Sequence, residues 1–216
     1  YHGLSKPLNE DKANWLTLLR KAPSAFWTVG LVQFFCWAAF LYMWNYTNGA
    51  IAETCWGTTD PKSAEFQAAG NWVGILFAVQ AIGSVLWAVA LPVFRNRKFA
   101  YALSLILGAA GFLMVPHIAN QYVLFVPYLL IGCAWAAMLA MPFTIVTNAL
   151  DGSHMGAYLG LFNGTICIPQ IIAAALGGAV LSLVGSHQYS MMTVAGVLLV
   201  AGALSVGIIK ETSGEK

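Results

Sequence analysis

The sequence predicts an all-α integral membrane protein with six transmembrane helices, and three observations support this fold class. The composition is 59% hydrophobic and only 8% charged, whereas soluble domains average about 25% charged residues. The charged residues are grouped in a few short segments, which leaves long uncharged tracts between them. Polar or turn-forming breaks divide these tracts into six lengths, each of the size that a helix needs to cross a bilayer. Barrel strands are excluded, because they would alternate in polarity over about 10 residues. Lys, Arg, Asp and Glu are absent from 24–52, 66–94, 99–150 and 152–209.

The expected elements follow one another along the chain without large loops. Residues 1–23 form a charged juxtamembrane segment, in which 8–21 has the pattern of an amphipathic helix lying at the lipid headgroups, with Trp15 as an anchor. Residues 24–209 form the membrane bundle, and residues 210–216 are a charged tail. The spans of the bundle are expected at about 25–51, 68–94, 99–117, 121–147, 156–184 and 188–209.

The orientation of the bundle follows from its Lys and Arg residues. Six spans place both termini on one side of the membrane, together with the second–third and fourth–fifth loops. That side holds every Lys and Arg except Lys62, which lies in the loop between the first two spans. We therefore expect a multi-pass protein of the plasma membrane, or of the inner membrane in a bacterium, with both termini of this chain in the cytoplasm.

Enzymatic and metal-binding functions find no support in the motifs. A membrane protease of the rhomboid type needs a membrane Gly-x-Ser and a His on another span, but all four His residues lie in tails or loops. Walker, H-E-x-x-H and G-x-S-x-G motifs are absent. The four Cys residues show no C-x-x-C or Cys/His spacing, so we expect no metal site, no cofactor and no catalytic residues.

The first span carries a stripe of amides and aromatic rings. At 100° per residue, its members fall within an arc of about 80°. Amides are costly in hydrocarbon unless they find partners or line a wet cavity, and an indole ring beside amides suits a sugar, whose C–H face stacks on the ring. Lining a cavity and packing between helices are equally compatible with this pattern. The stripe consists of Gln33, Trp37, Phe40, Trp44 and Asn48.

The fifth span is the other polar candidate. Gly156, Gly160 and Gly164 repeat every four residues, a pattern that lets another helix approach closely. Pro169 is expected to bend this span, as Pro142 is in the fourth span. We take two amides of the fifth span, Asn163 and Gln170, which are seven residues apart and share a side, as further candidates for substrate contacts. Spans three and six lack strong polar groups, which is typical of lipid-facing supports.

Two segments of the chain carry a resemblance to a known family. One is residues 33–40, QFFCWAAF, with Tyr46-Thr47, and the other is residues 155–163, MGAYLGLFN, with 168–170, IPQ. They are similar to the seventh and eleventh helices, respectively, of the glycoside–pentoside–hexuronide:cation symporters, a family of the major facilitator superfamily, and the sucrose- and maltose-type branch is the most similar. The resemblance implies a major facilitator fold of two six-helix halves, of which this chain is the C-terminal one, with an N-terminal half as partner. It also implies alternating-access transport of a di- or oligosaccharide or glycoside.

The chain departs from that family in one respect. Sucrose carriers have an acidic residue in the first span of this half, where this chain has Asn45 and Asn48. Glu53 lies only at the outer edge of the span. We therefore expect the residue that couples transport to H⁺ or Na⁺ to lie in the other half.

Two alternatives remain open at this point. One is a six-span structural or assembly subunit without transport activity, and the other is a natural half-size transporter that works as a dimer. Six further spans encoded upstream of Tyr1 would establish the two-half transporter, whereas a start codon shortly before Tyr1 would favour the alternatives.

Overall fold

The computed structural model describes residues 15–210 and shows an all-α chain, with six helices long and apolar enough to cross a membrane. The fold-class prediction is confirmed, and the observed ends lie within four residues of the expected ones. Residues 8–14 of the expected amphipathic helix and residues 211–216 of the tail lie outside the described part. The helices are α1 (Trp15–Lys21), α2 (Ser24–Cys55), α3 (Ala64–Ala90), α4 (Arg97–Met114), α5 (Phe125–Ala149), α6 (Met155–Phe162), α7 (Gly164–Leu183) and α8 (Gln188–Val206).

Local sequence explains where the spanning helices begin and end. Ser63 and Asn96 cap α3 and α4, each accepting a hydrogen bond from the backbone N–H three residues later at 3.2 Å. Pro92 and Pro116 lie in short 3₁₀ turns that close α3 and α4. The turn before α8 contains Gly185 with a φ of 86°, a left-handed conformation that costs glycine little.

The six spans form two groups of three with matching contacts. The first group is α2, α3 and α4, and the second is α5, the α6–α7 pair and α8. α2 packs on α8 and α7, and α5 correspondingly packs on α4 and α3. α4 and α8, which occupy equivalent positions, pack on each other. Because each group has three spans, the second group enters the membrane from the opposite side, so the bundle has the arrangement of an inverted repeat.

The hydrophobic core lies between α2, α4, α5 and α8. About half of the most apolar stretch of each of these helices is buried, against 17% for α3 and for α6–α7. α4 and α8 keep an outer exposed face with Ile106 and Leu204, as expected for supporting spans, but their inner faces are part of the core. The largest open apolar faces of the bundle therefore belong to the second and fifth spans.

Candidate functional site

The amide and aromatic stripe of α2 meets α5 in the middle of the bundle. Trp37, Phe40 and Trp44 surround Trp135 of α5, and we call these four residues the ring cluster. The ring centroids of Trp37, Phe40 and Trp44 lie 5.6, 5.4 and 5.7 Å from that of Trp135. Three of the five ring pairs within the cluster are edge-on, an arrangement that aromatic rings favour, and the other two are tilted. The angular prediction that the stripe shares one side of the helix therefore agrees with the contacts of its rings.

Gln33 and Trp37 form the deep part of the stripe. Trp37 Nε1 donates a hydrogen bond to Gln33 Oε1 at 3.0 Å, one turn away on the same helix. Gln33 is fully buried and Trp37 is 8% exposed. Gln33 Nε2 is also buried and has no hydrogen-bond partner among the described residues. An amide N–H in this condition carries a desolvation cost of about 1–3 kcal/mol, so Gln33 is a costly polar group of the stripe.

Trp44 and Asn48 form the accessible part of the stripe. Trp44 is 38% exposed, which makes its indole the member of the ring cluster that a solute can reach most easily. Asn48, one turn further, is half-buried beside Gly70 of α3, and its Oδ1 is buried without a described partner. Each end of the stripe thus has an amide with an unused hydrogen-bonding atom, and indole rings lie between these two atoms.

The amides of the fifth span do not join the stripe. Asn163 is exposed and lies at the junction of α6 and α7, where its backbone carbonyl accepts hydrogen bonds from the N–H groups of Ile166 and Cys167. Gln170 Nε2 donates to the carbonyl of Ile166 on its own helix at 3.1 Å. No hydrogen bond or ring contact within residues 15–210 connects either amide to the ring cluster. The structure therefore supports one compact group on α2 and α5 and two separate amides on the fifth span.

The glycines and prolines of the candidate set differ in their surroundings. A Cβ atom built on Gly156 or Gly160 would meet no described atom within 4 Å, and one on Gly164 would meet only Ile168 of the same helix. These three glycines, which we call the glycine seam, therefore have no partner helix in the described part of the chain. Pro142 and Pro169 are buried within α5 and α7. The interruption of the fifth span lies at Asn163, six residues before Pro169.

Sequence reasoning missed Trp135, the residue at the centre of the ring cluster. The signal was present, because Trp135 lies far from either end of its span, as Trp37 does in the first span. A mid-span indole is not explained by the interfacial belt in which Trp usually lies. Applied to every Trp of the chain, this criterion would have selected Trp135.

Charge is absent from the ring cluster, and the carboxylates lie elsewhere. Among the described residues, Asp60, Glu65 and Asp151 are exposed, and only Glu53 is half-buried. Glu53 Oε1 accepts a hydrogen bond from the backbone N–H of Gln188 at 3.2 Å, and its Oε2 lies 3.9 Å from His187 Nδ1. The described residues contain no group of three or more His, Cys, Asp or Glu that could hold a metal ion. The stripe can thus offer hydrogen bonds and ring faces to an uncharged polar molecule.

Comparison with known proteins gives one informative similarity. The chain is 29% identical over 135 residues to the magnetosome protein MamH of Paramagnetospirillum magneticum strain AMB-1. The aligned part is 62% of this chain and 31% of MamH, so the chain spans well under half of that relative. No protein-family model matches the sequence.

Proposed function

We propose that this chain is one six-helix half of a secondary transporter that binds a di- or oligosaccharide or a related glycoside and works by alternating access. Its partner is an N-terminal six-helix half, and transport is coupled to H⁺ or Na⁺. The similarity to MamH is consistent with a transporter and does not indicate a sugar.

The inverted repeat supports the transporter class. Many secondary transporters are built from such repeats, with the substrate bound near the bilayer midplane at the repeat interface. α2 and α5 are the equivalent first helices of the two repeats, and the ring cluster lies where they meet. The candidate site is therefore in the position that this architecture favours.

The ring cluster is the feature that most strongly supports a carbohydrate substrate. A sugar presents hydroxyl groups around its edge and C–H groups on its faces. The hydroxyls require donors and acceptors such as Gln33 Nε2 and Asn48 Oδ1, which are buried and unpartnered among the described residues. The faces require an accessible ring, which Trp44 provides. Because the cluster contains no ionisable side chain, a neutral glycoside fits it better than an amino acid or an organic anion.

The open faces of α3 and of the α6–α7 pair support a second half as the partner. Both are long apolar helices with little of their surface buried within this chain. The glycine seam of α6 points to close helix packing with a partner that the described residues do not supply. The aligned residues are 62% of this chain but 31% of MamH, so that relative is twice as long, which leaves room for a second half of similar size.

Sugar binding to the full-length protein tests this proposal through Trp44. Trp44 is a better probe than Trp37, because truncating the buried Trp37 would cost about 3–5 kcal/mol of stability. A panel of disaccharides and glycosides is titrated by calorimetry against the parent protein, Trp44→Phe and Trp44→Ala. We expect the phenylalanine variant to retain measurable affinity, because it keeps a ring face, and the alanine variant to lose about tenfold or more, equal to about 1.4 kcal/mol.

Trp27→Ala is the matched control. Trp27 is an exposed indole on the same helix, outside the ring cluster. Loss of affinity in this variant equal to that of Trp44→Ala would remove the ring cluster from the site. Absence of binding by every sugar in a folded full-length protein would favour the structural-subunit alternative.

A further inference from the structure

A second feature lies at the end of the bundle that contains Lys21, Arg95, Arg97, Lys98 and Lys210, which we call the basic end. A cavity of about 1080 Å³ opens there between the ends of α2, α3, α4 and α5. Its lining includes three cations, Arg95, Arg97 and Lys210. It lies apart from the ring cluster, none of whose members lines it. Its properties are therefore independent of the proposed sugar site.

The electrostatics of this cavity favour an anion. The described residues that line it include no Asp or Glu. Asp151 is the only described carboxylate at the basic end, and it does not line the cavity. Ser153 donates hydrogen bonds to Asp151 Oδ1 from its hydroxyl at 2.7 Å and from its backbone N–H at 3.0 Å. These bonds lower the pKa of Asp151, because they stabilise its ionised carboxylate.

Two helix starts add to the positive potential. Ser24 and Arg97, the first residues of α2 and α4, both line the cavity. The cap of α2 is Pro23, whose side chain makes no capping hydrogen bond. Phe26 N–H donates to the Pro23 carbonyl at 3.0 Å. The N–H groups of the first two residues of this 32-residue helix, Ser24 and Ala25, keep hydrogen-bonding capacity at the positive end of its dipole. Helix starts alone are common, but here they lie in the same concave space as Arg95 and Lys210.

The remaining wall of the cavity is partly polar, with Asn96, Thr144 and Asn148, and partly apolar. Leu91 and Phe94, from the turn after α3, and Met141 and Ile145 of α5 line it. The cavity thus combines a cationic part with a hydrocarbon part at the ends of the spanning helices, the depth at which lipid headgroups lie. A small hydrophilic anion would use only the first part, whereas an anionic lipid would use both.

We propose that this cavity binds the phosphate headgroup of an anionic phospholipid. Arg95 and Lys210 contact the phosphate, and the acyl chains lie along Leu91 and Phe94. The site links the turn after α3 to Lys210, four residues after the end of α8, so an occupied site ties the second span to the segment that follows the sixth. This proposal does not depend on a sugar substrate.

Native mass spectrometry of the full-length protein in detergent tests the proposal. Phosphatidylglycerol is titrated against the parent protein and the Arg95→Gln/Lys210→Gln variant, with phosphatidylcholine and inorganic phosphate as the other ligands. Each cation near an anionic lipid surface contributes about 1 kcal/mol, so we expect affinity for phosphatidylglycerol to fall about fivefold for each charge removed. Phosphatidylcholine should bind weakly to both proteins, and inorganic phosphate should not displace phosphatidylglycerol.

Arg20→Gln is the matched control, because Arg20 is an exposed arginine at the same end that does not line the cavity. We expect it to change affinity less than twofold. An equal loss in Arg20→Gln would assign the binding to diffuse surface charge and overturn the proposal. Equal affinity for phosphatidylcholine, or displacement by inorganic phosphate, would also overturn it. If the double variant is not monodisperse, the same titrations are made with Lys210→Gln alone. Lys210 is exposed and lies beyond the last helix, so this substitution should leave the fold intact.

Discussion

The contact between α3 and α5 depends on two glycines that face each other's helix backbones, and Gly132→Ala tests it. A Cβ atom on Gly132 would lie 2.8 Å from Ser84 N and 3.1 Å from the carbonyl carbon of Gly83, and it would also clash with the carbonyl oxygen of Gln80. Reciprocally, a Cβ atom on Gly83 would lie 2.7 Å from Leu129 O. These neighbours are backbone atoms, so the added methyl group can fit only if the two helices separate.

The size of the effect follows from this geometry. Overpacking of this kind typically costs about 1–3 kcal/mol. For a unit of about this size, each kcal/mol lowers Tm by about 2–4 °C, so a loss of about 2 kcal/mol lowers Tm by about 4–8 °C. The assay is thermal unfolding of the purified full-length protein, followed by the loss of its monodisperse peak in size-exclusion chromatography.

Gly74→Ala is the internal control, because Gly74 lies on the same helix and a Cβ atom there would meet no described atom within 4 Å. We expect Gly74→Ala to keep or slightly raise Tm, since alanine favours helix over glycine. A Gly132→Ala protein that unfolds at the parent Tm, or an equal loss in both variants, would refute the proposed contact between α3 and α5.

Three further substitutions test other contacts. A Cβ atom on Gly160 would meet no described atom within 4 Å, so we expect Gly160→Leu to lower the Tm of the full-length protein if a partner helix packs on the seam, as proposed. Glu53→Gln should cost about 0.5–1 kcal/mol, measured by thermal unfolding, because it removes a negative charge from the start of α8. Tyr158→Phe removes the 2.9 Å hydrogen bond from Tyr158 Oη to the Leu18 carbonyl. The loss of about 1 kcal/mol should speed hydrogen exchange in α1 about fivefold.

Matched control variants distinguish the loss of these particular contacts from a general loss of stability caused by any substitution. Val197→Leu enlarges an exposed residue of α8, and it should leave Tm unchanged where Gly160→Leu lowers it. Tyr122→Phe changes an exposed tyrosine with the same chemistry as Tyr158. Losses as large as those of the test variants would contradict the individual contacts described above.

The membrane fold was predictable because the bilayer imposes a simple rule on the sequence. Charged groups are excluded from the hydrocarbon, so they lie outside the spans, and polar or turn-forming breaks mark the span ends that carry no charge. The first span, expected at 25–51, is found at Ser24–Cys55. The division of the fifth span was not predicted. Pro169 lies inside α7, and α6 gives way to α7 at Asn163, whose backbone keeps right-handed helical angles (φ −59°, ψ −24°). The position of a proline was therefore not sufficient to locate this division.

The candidate site was only partly predictable for a related reason. Angular spacing placed Gln33, Trp37 and Trp44 on one side of α2, and their contacts agree with that placement. It did not reveal that Trp135 of α5 would lie between the rings. A span that is apolar on every side gives no amphipathic signal to identify the neighbour of each face. Which helix meets which is determined by the packing of the whole bundle.

Transport by the full-length protein is the measurement that tests the central claim most directly. The protein is reconstituted into proteoliposomes, and uptake of labelled disaccharides is followed with and without an imposed H⁺ or Na⁺ gradient. The account predicts saturable uptake of at least one sugar, accumulation only with a cation gradient, and a strong reduction in Trp44→Ala but not in Trp27→Ala. A folded, reconstituted protein that moves no sugar under either gradient would contradict the account.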